Sequence, residues 1–220
     1  MKHKIYLFLR SDGFTVISYF LCLLLATSLV PVVGSKVALV QELLLLGLLL
    51  VLIFLHRSTL LRKMDRKLVL KGFLWGLASL IVEGLIIISI ILITKVSIPS
   101  QNTSGVVTAI KKYPLFIAYT ILIAPMVEEL VFRDSFFTIC SKYLARLLKG
   151  KNKNIWINAL AALITAFIFA GLHADNAVWE YVLVSLFFQW LFYRYKDIRV
   201  SMIAHITFNL STLSLLLFFW

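Results

Sequence analysis

Seven apolar stretches, at residues 14–33, 37–55, 72–94, 114–131, 155–173, 177–193 and 200–219, follow one another with short polar breaks. Each is close to the roughly 20 residues that a helix needs to cross the hydrocarbon of a bilayer. Lipid offers no hydrogen-bond partners, so a spanning segment must pair its backbone groups internally, and for single segments of this length that means helix. The pattern therefore predicts an all-α, polytopic transmembrane helical bundle of about seven spans, with residues 1–220 forming a single integral membrane domain. A hydrophobic fraction of 61% and a mean hydropathy of +0.97 exclude an ordinary soluble globular surface. Cys22 and Cys140 stand far apart in apolar or amphipathic surroundings and read as small buried hydrophobes rather than a disulfide framework or a zinc ribbon.

The 22 lysines and arginines against 10 acidic residues give a formal charge of +12, and their placement says what that charge is for. With a cytoplasmic N-terminus, all but Lys36, Lys95, Lys111 and Lys112 fall at cytoplasmic positions: Lys2, Lys4 and Arg10, then the 57–71 connection, then Arg133 to Lys153, then Arg194 to Arg199. This asymmetry predicts seven crossings with Trp220 outside. It also predicts contact with anionic headgroups, and no nucleic acid as a partner. The first span lacks a good small-residue cleavage site and reads as an uncleaved signal anchor. Residues 95–113, with Pro99, Ser100, Gln101, Asn102, Thr103, Ser104 and Gly105 in succession, read as an external polar loop. Gly72 and Gly76 have the spacing of a close helix contact.

Ionisable side chains at membrane depth are costly and mark function by default. Glu128 and Glu129 stand together in the fourth stretch, with Arg133 following. Four residues separate Glu129 from Arg133, which predicts an intrahelical ion pair. On an α-helix Glu128 would then point about 100° away from that pair, given 3.6 residues per turn. His173 ends the fifth stretch, one turn after Phe169, which stands where it can pack on the imidazole. His205 and Asn209 share a face of the seventh. Taken singly, a buried histidine or asparagine is as readily an interhelical hydrogen bond. Residues 134–148 form an amphipathic stretch: either the fourth helix ends near 131 and an interfacial helix follows, or it continues to 148.

Glu128-Glu129-x-x-x-Arg133, Phe169-x-x-x-His173 and His205-x-x-x-Asn209, in that order on three helices, resemble the three motifs of the CPBP intramembrane protease family, also called the ABI or type II CAAX endopeptidase-like family. The resemblance covers about residues 110–215, a CAAX protease-like catalytic core. It implies a peptide-bond hydrolase, with Glu128, His173, His205 and Asn209 as catalytic residues and Glu129, Arg133 and Phe169 in support. The implied partner is a peptide or membrane-associated protein substrate, and the implied location is the membrane of a bacterial cell. No cofactor is obligatory on this reading. Zinc held by Glu128, His173 and His205 is the other possibility, although the compact His-Glu-x-x-His helix is absent. Small bacterial members suggest bacteriocin or pheromone peptide processing, or self-immunity. The alternatives are a non-enzymatic immunity or sensor-partner protein, a prenyl-protein endopeptidase, and a transporter, the last disfavoured by the lack of internal repeats.

Overall fold

The structure, a computed structural model, describes residues 11–33, 36–95 and 100–219. Lys2, Lys4, Arg10, Gly34, Ser35, Pro99 and Trp220 lie outside the described residues. No strand occurs among those described, which are mostly helix. Helices α1 (Asp12–Ser28) and α2 (Val37–Leu55) are joined through a short turn at Val30–Val33. A second turn, Arg57–Leu60, precedes α3 (Arg66–Thr94). Then come α4 (Gln101–Lys112), α5 (116–147), α6 (Lys153–Leu172), α7 (Val178–Tyr195) and α8 (Ile198–Phe219).

Start signals explain several boundaries. Ser11 Oγ accepts from the Phe14 amide, Asp65 from Lys67 and Asp197 from Arg199, so the α1, α3 and α8 N-termini each have a side-chain acceptor for an otherwise orphaned amide. Gly150, at φ +110°, makes the turn between α5 and α6. That backbone region is strained for any residue with a Cβ.

Among the described residues, five helices are long and apolar enough to cross a membrane: 12–32, α2, 66–93, α6 and 198–218. The chain is a multi-pass membrane protein. Their outer faces fit lipid, since in the most apolar window of α3 only 12% of residues are buried, and Leu24, Leu50, Leu85 and Ile93 stand open. The other two apolar stretches form helices as well, α5 and α7, but these are not among the five. Both carry ionisable or amide groups, Glu128, Glu129 and Arg133 in one and Glu180, Gln189 and Arg194 in the other, which lowers their hydropathy.

Two expectations about connections change. The polar stretch read as an external loop is largely helix, because Ser100 caps α4 through its Oγ to the Thr103 amide at 3.0 Å. The fourth span does not end near 131: α5 is unbroken from Phe116 to Leu147, and Leu148 leaves it in an extended conformation. Its last part, Phe137–Leu147, is the expected amphipathic stretch and has no fully buried residue.

The described helices gather into two compact units. One contains residues up to Lys63 together with Ala109–Ala161, and the other Met64–Thr108 with Ala162 onward. In the first, α1 packs on α2 and on the middle of α5. In the second, α8 packs along α3 and α7. The α3–α8 contact depends on the glycines. A Cβ at Gly76 would stand 2.6 Å from both Ala204 O and Thr207 Cβ, and one at Gly72 2.9 Å from Ile203 Cβ. These are contacts that only a missing side chain permits.

Candidate active site

The motif residues divide between the units, Glu128, Glu129 and Arg133 in the first and Phe169, His173, His205 and Asn209 in the second.

In the first unit, α5 departs twice from α-helical winding. Tyr119–Ile123 and Glu129–Phe136 are wound with i→i+5 hydrogen bonds, as π-helix. The first departure has a sequence cause. Pro125 lacks an amide hydrogen and its ring crowds the carbonyl four residues back, and a widened turn just before it relieves that clash. The second carries the acidic motif itself. Such widened turns are uncommon and recur at functional sites. Glu129 and Arg133 are both fully buried, with Arg133 Nε 3.4 Å from Glu129 Oε1. The expected pair is therefore made, and each charge has its counter-ion where water is absent. Arg133 is thus a core group rather than one of the cytoplasmic cations, as the charge count had placed it. The angle of about 100° between Glu128 and the pair assumed α-helical winding, and from Glu129 onward the wider turn reduces the rotation per residue. Glu128 is half-buried, the last residue before this turn. It acts electrostatically on the hydroxyls of Tyr19 and Tyr119. Tyr119 is itself held by Gln41 Nε2 at 2.8 Å, and the Tyr19 ring meets Phe132 edge-on at 5.6 Å.

In the second unit, Phe169, His173 and His205 come together. The Phe169 ring lies 4.6 Å from that of His173 and 6.5 Å from that of His205. His173 Nδ1 is 2.9 Å from the Phe169 carbonyl. A carbonyl only accepts, so Nδ1 carries the hydrogen and, in the neutral ring, Nε2 keeps its lone pair. His205 is buried on α8, the most enclosed of the five apolar helices, and stacks on Phe188 at 4.5 Å. Asn209, one turn along, is half-buried.

The segment after His173 holds groups that no spacing rule singled out. Ala174 takes a left-handed backbone conformation, φ +47°, uncommon for a residue with a Cβ. Asp175 follows, and its carboxylate accepts from the amides of Gln101, Asn102 and Ala177 at 3.3, 3.0 and 3.0 Å, from Ser100 Oγ, and from Tyr181 OH at 3.3 Å. Burial pushes the Asp175 carboxyl up, but these donors outweigh it and hold it below its ordinary value. One short acidic side chain thus serves the N-termini of α4 and α7 together. Tyr181 stacks on His173 at 4.2 Å. A tyrosine eight residues past a histidine leaves no motif to read.

Metal fit follows from the donors. His173 has the outer contact typical of a ligating histidine, its second nitrogen on a carbonyl. Among the described residues, however, no three His, Cys, Asp or Glu side chains group so as to hold an ion.

Residues 110–211 match the family model described as type II CAAX prenyl endopeptidase Rce1-like. This segment resembles the Rce1-like family. It starts at the end of α4, contains all three motifs and stops two residues beyond Asn209. The chain is also similar to a Bacillus subtilis (strain 168) protein described as "Putative membrane peptidase YdiL", with 30% identity over 111 residues. That match covers 50% of this chain and 41% of the relative, so the chain spans about two fifths of the relative's length. No solved structure matches this chain.

Proposed function

We propose that the protein is an intramembrane endopeptidase that hydrolyses a peptide bond of a membrane-associated peptide or protein with a water activated by Glu128. The observation that carries this reading is the ordered set of three motifs within the Rce1-like segment, with the Glu129–Arg133 pair buried beside Glu128. Glu128 takes a proton from water, and the water oxygen adds to the carbonyl carbon. His173 holds the same water through its Nε2 lone pair. His205 and Asn209 donate to the oxyanion that forms, a type of contact whose loss costs about 2.7–4 kcal/mol. The intermediate then collapses: the C–N bond breaks, and Glu128 returns the proton to the departing amine. Glu129 and Arg133 brace α5, and Phe169 fixes the carbonyl to which His173 is tied. The reaction needs no obligatory metal.

The substrate class is a bacteriocin or pheromone precursor, or a bacteriocin against which the enzyme protects its own cell. The location is the bacterial plasma membrane, with the N-terminus cytoplasmic. The test is cleavage by the purified protein in detergent of a quenched-fluorescent peptide library that includes a farnesylated CAAX peptide, with Glu128→Gln as control. Cleavage of unprenylated peptides by the wild type alone supports the reading. Selective cleavage of the farnesylated peptide moves the substrate to prenyl proteins. No cleavage, or cleavage equal in the variant, removes the enzyme and leaves a binding role.

A further inference from the structure

Resting on that reading, we infer that Tyr181 is a positioning residue for His173: its ring, clamped through its hydroxyl to Asp175 and to the N-terminus of α4, sets the imidazole plane and tautomer. Three surfaces define where the His173 ring sits. Phe169 supplies a carbonyl to Nδ1 and a tilted ring at 4.6 Å. Tyr181 supplies a nearly parallel ring at 4.2 Å, with 25° between the planes. The carbonyl alone fixes one atom and leaves the imidazole able to swing about it, and a stacked ring removes that freedom. Offset aromatic stacking contributes about 0.5–1.5 kcal/mol, enough to hold one orientation in excess.

The Tyr181 ring is itself held in place. Its hydroxyl donates to Asp175 Oδ2 at 3.3 Å, accepts from Asn102 Nδ2 at 3.1 Å and lies 3.4 Å from Ser100 Oγ. Asp175 sits two residues from His173, beyond the left-handed Ala174, so the same carboxylate anchors the chain leaving the histidine and the ring lying on it. A purely structural tyrosine would need its hydroxyl satisfied but would have no reason to lie flat on a catalytic imidazole. The placement also explains why a helix stands where the sequence reads as loop. The start of α4 supplies Ser100 and Asn102 to the clamp.

The test reads the imidazole directly. In ¹⁵N-histidine-labelled protein in detergent, with the His173 signals assigned from His173→Ala, the wild type is expected to show one neutral tautomer, protonated at Nδ1. Tyr181→Leu should give a mixture of tautomers and lower kcat about tenfold on the library peptide that the wild type cleaves fastest, with KM within about twofold. Tyr181→Phe, which keeps the ring, should keep the single tautomer. A Leu variant that retains one tautomer overturns the inference. So does a folded Phe variant that loses it, and that arm stands even where the Leu variant does not accumulate. The tautomer measurement needs no turnover. Absence of peptidase activity with the tautomer result as expected therefore sinks the protease reading and leaves the positioning role intact.

Discussion

Glutamine in place of Glu128 keeps the size of the side chain and removes its capacity to take a proton. Turnover by Glu128→Gln should therefore fall to background while the protein still folds and still binds peptide, measured by single-turnover cleavage beside a binding titration. His173→Ala should behave alike. Asn209→Ala should retain measurable activity, since one donor to the oxyanion remains in His205. Arg133→Ala should fail differently. It leaves Glu129 as a buried charge without its counter-ion, a change that costs about 3–5 kcal/mol. The first symptom should be a lower melting temperature and lower yield. Replacing the pair together, as Glu129→Leu with Arg133→Met, should recover most of that stability, because two apolar side chains need no partner. Recovery of stability without recovery of activity would assign the pair a role beyond holding α5 together.

Among the helices, the glycine contact and the Asp175 cap carry the sharpest consequences. A methyl group at Gly76 would overlap Ala204 O and Thr207 Cβ, atoms on either side of His205 in the sequence of α8. Overpacking of this kind costs about 1–3 kcal/mol, and here the relief must come from movement of α8. Gly76→Ala should lower both thermal stability and kcat, whereas Gly84→Ala, where nothing stands within 4 Å, should do neither. Asp175 sets an acid limit. Its carboxyl titrates below its ordinary value in the folded protein, so the cap contributes fully above the unfolded value of about 3.9 and is lost as pH falls through the lower, folded value. Hydrogen exchange at the Gln101 and Asn102 amides should accelerate across that acid window, and Asp175→Asn should show the acceleration already at neutral pH. The same elements show what can be read from a sequence. Apolar length reveals spans, and i,i+4 spacing reveals the Glu129–Arg133 pair and the Phe169–His173 contact, because both follow from one helix's own geometry. The α4 helix escapes, since its Ser, Thr and Asn residues look like loop until the cap from Asp175, about 75 residues away, is known. The π winding at Glu129 escapes because only the proline-linked turn before Pro125 has a local cause. Tyr181 escapes because its meeting with His173 is made by the chain reversal at Ala174 and Asp175.

For the molecule as a whole, orientation and metal independence are the two properties that the proposed function adds to the fold. With Arg133 in the core and Arg199 nearly buried against Asp197 at 2.7 Å, two of the cations counted as cytoplasmic are internal partners and carry less weight in setting topology. The remaining excess still lies at the 57–71 and 142–153 connections, which the seven-crossing layout puts on one side. Reporters fused after Lys153 and after Trp220 should therefore appear on opposite faces of the membrane, and both on one face would rule the layout out. Metal independence is tested on the purified enzyme. If Glu128 activates water without an ion, exhaustive dialysis against a chelator should leave kcat within about twofold of its starting value, because ligand-free folding and the acid–base step both persist. A zinc enzyme behaves otherwise: its metal supplies the nucleophile, so activity must vanish on chelation and return on adding stoichiometric zinc. Zinc content that follows activity across His173→Ala and His205→Ala would replace the glutamate mechanism with a metal one, while leaving the buried Glu129–Arg133 pair and the Tyr181 stack in the places described.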